Sequence, residues 1–101
     1  MTPYRLVAEP AADLDVEAAF TWYQHERAGL GLEFLDELRV AYGRIADGPL
    51  KYRELRSGIR RALLRCFPYA VYFAVEGEVV FVSACMKASR RLIRSRHASA
   101  R

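Results

Sequence analysis

Residues 59–87, IRRALLRCFPYAVYFAVEGEVVFVSACMK, constrain the fold more than any other stretch of this chain. Apolar and polar side chains alternate there with the two-residue period of extended backbone, and turn-forming residues split the stretch into three runs. In the first run, Arg60, Ala62, Leu64 and Cys66 share one face, and Arg61, Leu63 and Arg65 share the other. Phe67-Pro68 predicts a bend. The second run sets Val71, Phe73 and Val75 against Tyr72, Ala74 and Glu76. Glu76-Gly77-Glu78 predicts a tight hairpin. The third run, Val79 to Met86, is apolar on both faces, as expected of an interior strand. Three consecutive antiparallel strands are therefore expected, one of them carrying a row of arginines.

The preceding residues supply cover for one face of that sheet. Tyr4 to Ala8 is a short strand candidate ended by Glu9-Pro10. A helix should follow with Asp13 as its N-cap, because Val16, Ala19, Phe20 and Tyr23 recur at i, i+3, i+4 and i+7. Gly29 and Gly31 interrupt the helical pattern. A second helix from Leu30 or Leu32 to Ala46 places Phe34, Leu38, Ala41 and Ile45 on its core stripe, flanked by Leu35 and Tyr42. Asp47-Gly48-Pro49 stops it. Lys51 to Arg56 reads as a loop or a short edge strand ending at Ser57-Gly58. The predicted architecture is α+β: an N-terminal strand, an antiparallel helical hairpin, then a three- to four-stranded antiparallel sheet. The expected organisation is one domain over residues 1–90, with a basic tail over 91–101.

Charge is divided along the chain. Residues 1–47 hold nine acids and four arginines, a net −5, whereas residues 48–101 hold twelve bases and three acids, a net +9. A basic sheet and tail beside acidic helices point to an anionic or acidic partner. No apolar run reaches the roughly 18 residues a membrane span needs, and the N-terminus lacks the apolar core of a signal peptide. The expected location is the cytoplasm, with Cys66 and Cys85 as two buried thiols in apolar strand patterns.

Few chemistries fit the residues present. His25 and His97 are far apart, and no Cys or acidic cluster has metal-ligand spacing. No Gly-rich phosphate loop, nucleophile elbow or HExxH occurs, so no metal or cofactor is expected. What remains is a basic set: Arg56, Arg60, Arg61, Arg65, Lys87 and Arg90. On one strand, Arg61 and Arg65 would point the same way about 13 Å apart, a span suited to a polyanion backbone. Tyr69 and Tyr72 on the neighbouring strand offer stacking surfaces. The same arginines would also serve as ordinary edge protection.

The order of elements, with YRLV, ADLDVEAAFTWY, GLGLEFLDEL and especially RRALLRCFPYAVYF followed by the VEGEVV hairpin, resembles the RelE/ParE superfamily of toxins from type II toxin–antitoxin systems. The resemblance spans about residues 4 to 90. It implies a growth-inhibiting toxin held inactive by a cognate antitoxin in a hetero-oligomer. RelE-like members cut mRNA on the ribosome without a metal, and ParE-like members poison DNA gyrase and lack the nuclease residues. Carried over by position, Arg60 or Arg61 would stabilise the phosphate. Lys87 stands where similar members have histidine, with Arg91 and Leu92 in place of Asp-Pro. A lysine, whose ordinary pKa is about 10.4, suits phosphate binding or proton donation better than proton abstraction. Asp47 and Glu54 are the nearby carboxylates for a base. The resemblance thus implies Arg61, Arg60 and Lys87 as catalytic candidates, and Arg56, Arg65, Tyr72 and Arg90 as target-binding ones. The departure at Lys87 keeps a second expectation open, a non-toxic relative acting as an antitoxin-binding co-repressor. The tail RRLIRSRHASAR is expected to draw nucleic acid or ribosome.

Overall fold

The computed structural model describes residues 4–88; Arg90 and the tail lie outside the described residues. The elements run β1 (Arg5–Ala8), α1 (Pro10–Glu26), α2 (Leu30–Asp47), a 3-10 turn (Pro49–Lys51), β2 (Glu54–Arg56), β3 (Ile59–Leu63), β4 (Tyr69–Glu76) and β5 (Val79–Lys87). The five strands form one sheet in the order β1-β5-β4-β3-β2. The run from β2 to β5 is antiparallel, and β1 adds at the β5 edge in parallel, with Arg5 opposite Val79 and Ala8 opposite Val82. The α+β prediction holds, and the sheet gains a fifth, parallel strand.

Three local expectations are corrected. Helix α1 starts at Pro10 with Glu9 as its N-cap, three residues before Asp13. Pro10 ends β1 and also opens the helix, because its fixed φ suits a first helical position that needs no N–H donor. Strand β3 ends at Leu63, so Cys66 lies in the turn before β4 and is exposed, whereas Cys85 is buried. Arg65 leaves the strand for the same reason. Residues 54–56 form the edge strand, joined to β3 through Ser57 (φ 52°) and Gly58 (φ 78°). Two consecutive positive φ values define the hairpin turn that matches strand twist.

The core lies between the helical hairpin and one sheet face. Phe34, Leu38, Ala41 and Ile45 of α2 are buried, as their spacing predicted, together with Ala12, Ala19 and Tyr23 of α1. They meet Ala62, Val71, Phe73, Val80, Val82 and Cys85 from the sheet. The two helices cross closely at Gly31, where an added Cβ would lie 2.7 Å from the Phe20 carbonyl oxygen. Gln24 Oε1 accepts from the N–H groups of Gly29 (3.0 Å) and Gly31 (2.7 Å), capping the start of α2. Among the described residues, no helix is long and apolar enough to cross a membrane. Gly31→Ala should cost about 2 kcal/mol of stability through overpacking at the crossing. Urea denaturation measures this, and an unchanged midpoint would show that the crossing tolerates a methyl group.

Candidate functional site

Strand pairing sorts the predicted residues onto two faces, since directly opposed residues share a face. Arg61 lies opposite Tyr72, which lies opposite Ala84. Ile59 lies opposite Ala74, which lies opposite Phe81, and Arg56 opposes Ile59 on the other side. These residues occupy the face away from the helices. Arg56, Arg61 and Tyr72 are therefore brought together on the uncovered face, over an apolar floor of Ile59, Ala74 and Phe81. Among the described residues, neither Arg56 nor Arg61 is in an ion pair. A shallow depression of about 340 Å³ continues this floor towards Glu9, Glu76 and Ser83.

Arg60 belongs to the other face, in the alternation class of Ala62 and Leu64. Its guanidinium reaches past the core edge, donating to the Tyr52 carbonyl oxygen at 2.6 Å and pairing with Glu54 at 3.7 Å. Only 20% of its side chain is exposed, so its charge is spent locally, on the strand edge. Lys87 is also on the helix side: it opposes Tyr69, and its Nζ sits 5.4 Å from the centre of the Trp22 ring of α1. That distance suits a cation–π contact. Arg61 and Lys87 thus lie on opposite faces of the sheet. Asp47 closes α2, and Glu54 is engaged by Arg60 and by the Gly58 N–H at 3.0 Å.

Arg65 is exposed in the turn between β3 and β4. Two carboxylates that the sequence reading did not single out hold the flanking backbone. Glu37 of α2 accepts from the N–H groups of Arg65 and Cys66, the latter at 3.1 Å. Asp15 of α1 accepts from the Cys85 N–H at 3.0 Å. β1 ends at Ala8, opposite Val82, so Cys85 has no strand partner on that side and Asp15 takes its place. Trp22, the platform for Lys87, was also missed; its place after Thr21, outside the core stripe, was the available signal. Among the described residues, no three His, Cys, Asp or Glu side chains are grouped to hold a metal ion.

Burial sets the titration of the interior. The Cys85 thiol is pushed up from 9.0 to about 12, first by burial and then by the Asp15 carboxylate. Burial likewise pushes the Tyr42 hydroxyl up from 10.0 to about 12, with smaller contributions from Cys85 and Asp13.

No family model matches the sequence, and no curated protein does. Solved structures similar in fold include the following two. One belongs to the chromosomal ParDE TA system from P. aeruginosa, with a TM-score of 0.77 and 14% identity over 85% of this chain and 97% of that chain. The other belongs to the toxin–antitoxin complex RelBE2 from Mycobacterium tuberculosis, with a TM-score of 0.56 and 19% identity over 84% of this chain and 98% of that chain. The chain has the RelE/ParE-like α+β fold.

Two outcomes follow for the cysteines. In the native protein, Ellman's reagent should label Cys66 promptly and Cys85 only after unfolding; equal labelling of both would contradict the burial of Cys85. Cys85 and Tyr42 keep their protons to higher pH in the folded state than in the unfolded one. Their contribution is therefore complete below about pH 9 and lost as pH rises towards about 12. Denaturation midpoints should fall across that window, and Cys85→Ala should flatten the fall.

Proposed function

We propose that this chain is the toxin of a toxin–antitoxin pair, inhibiting growth unless bound by its antitoxin. The observation that carries this reading is the fold likeness to chains of two toxin–antitoxin systems, which extends over 97% and 98% of those chains. The uncovered face bearing Arg56, Arg61 and Tyr72 is its target-binding surface. Its arginines are free to meet a phosphate or carboxylate, and its apolar floor supplies contact area.

Within that reading we favour a toxin that acts by binding, with DNA gyrase as the target class implied by the sequence resemblance. Concerted cleavage of RNA needs a phosphate-stabilising cation and a proton-transfer group at one reacting centre. Arg61 and Lys87, two of the three catalytic candidates, are on opposite faces of the sheet. Arg60 is already paired with Glu54. The binding reading needs no such convergence. Ribosome-dependent mRNA cleavage is the second reading, and it rests on the juxtaposition of Arg61 with the Tyr72 ring as a phosphate and base contact.

Induction of the chain alone in bacteria tests these together, with plasmid supercoiling and mRNA 5′ ends measured in parallel. Growth arrest with lost supercoiling and intact mRNA is expected. Codon-phased mRNA cuts would replace gyrase by the nuclease reading. Normal growth would leave the co-repressor role, measured as antitoxin-dependent operator binding. Arg61→Ala should relieve growth arrest while leaving the thermal unfolding midpoint unchanged, since its guanidinium lies outside the core. Undiminished arrest in that variant would move the target surface elsewhere.

A further inference from the structure

The uncovered face is apolar in its middle and carries opposite charges at its two ends. Arg56, Ile59, Ala74 and Phe81 form one row across four strands. Arg56 stands at the β2 end of that row, with Arg61 in the next row beside it. Ile59, Ala74 and Phe81 are half-buried and make the floor. Glu9 closes the far end: it follows β1, and its N–H donates to the Val82 carbonyl oxygen at 2.9 Å. Glu76, one row towards the β4–β5 hairpin, lines the depression together with Glu9. Three strand spacings separate the β2 end of the row from the β5 end, about 14 Å.

Among the described residues, none of these four charges is engaged elsewhere. No ion pair there involves Arg56, Arg61, Glu9 or Glu76, and Glu9, although the N-cap of α1, makes no side-chain cap. Arg5 of β1 lies one row away, opposite Val79, and does not line the depression. The screening length at physiological salt is about 8 Å, shorter than the span. The two ends therefore act as separate patches and do not cancel. A nucleic-acid strand carries a charge at every nucleotide, so one held at the arginines would bring further phosphates against Glu9 and Glu76. A protein segment can change the sign of its charge along its length and match both ends.

We propose that the partner seated on this face is a protein segment that presents a carboxylate to Arg56 and Arg61, apolar side chains to Ile59, Ala74 and Phe81, and a cation to Glu9 and Glu76. A helix spans the distance in about nine residues. An acid and a base a little over two turns apart, with apolar residues between them, meet the requirement. Exposed charge pairs are weak singly, so the apolar contact holds the segment and the charges set its direction. That the segment belongs to the target rests on the toxin reading; the order of charges on the face stands without it.

Random peptides displayed on phage and selected on the immobilised full chain test the match. Enriched sequences should carry an acid and a base flanking apolar residues. Synthetic copies of them, followed by fluorescence anisotropy, should lose affinity on Arg61→Ala, and on Glu9→Gln combined with Glu76→Gln, by up to about fivefold per lost pair. Gln keeps the shape of Glu, and a thermal midpoint equal to the parent's checks that the fold is intact. No enrichment, or enrichment of acidic peptides without a base, would overturn the proposal. So would a peptide affinity that the Glu9/Glu76 variant leaves unchanged. A single-stranded RNA whose binding falls with Arg61→Ala and rises with the Glu9/Glu76 variant would overturn it too, assigning the face to a polyanion. Absence of growth arrest on induction would sink the toxin role and leave the peptide result standing.

Discussion

Everything that gives this small domain its shape converges on the Tyr23 ring. It contacts Phe34 of α2 at 5.5 Å, Phe67 of the β3–β4 turn at 4.9 Å and Tyr69 of β4 at 6.0 Å between ring centres. Phe34 in turn meets Phe67 at 5.4 Å and Tyr69 at 5.3 Å, both edge to face. Such contacts favour offset and edge-on geometry and add to the area that large rings bury. Four rings from two helices, a turn and a strand therefore lock the hairpin to one end of the sheet. Burial raises the Tyr23 and Tyr69 hydroxyls above their ordinary pKa. With the helices fixed, Glu37 reaches the turn that carries Arg65, and Asp15 reaches the loose side of β5. The packing core thereby sets backbone that has no strand to pair with.

One consequence is a strict division between faces. The covered face consumes its charges internally: Arg60 serves Tyr52 and Glu54, and Lys87 rests on Trp22. The uncovered face keeps Arg56 and Arg61 unspent. A basic protein of this kind does not have one diffuse positive surface. Its cations are graded by what they already hold, and only the unengaged ones can pull a partner in from solution. This grading, more than the count of arginines, supports a binding surface centred on Arg61 and Tyr72.

Much of the architecture was legible because burial imposes periodicity. Phe34, Leu38, Ala41 and Ile45 announced the inner stripe of α2, and the alternation from Ile59 to Lys87 announced three strands. That alternation even placed Arg60 with Ala62 and Leu64, hence on the core side, although the arginine row drew attention to charge and away from face. The features that escaped were set by distant partners. Nothing local to Arg5–Ala8 says that it pairs in parallel with Val79–Val82, and nothing near Asp15 says that its carboxylate replaces a strand partner for Cys85. Pro10 was read as a stop and is also a start, because the same fixed φ serves both. Cys66 continued a strand pattern in the sequence, but β3 ends at Leu63 and Phe67 of the following turn packs into the aromatic cluster.

The parallel β1–β5 pair is the longest-range link in the sheet. Residues that meet there are more than seventy positions apart, so this ladder carries the largest loop-closure cost of any strand pair in the sheet. β1 pairs with β5 and with no other strand, so the first strand of the chain joins the sheet only through the last. Tyr72, beside Arg61, pairs with Ala84 of that last strand. The neighbourhood of Arg61 and Tyr72 thus depends on the strand that the chain reaches last among its described elements.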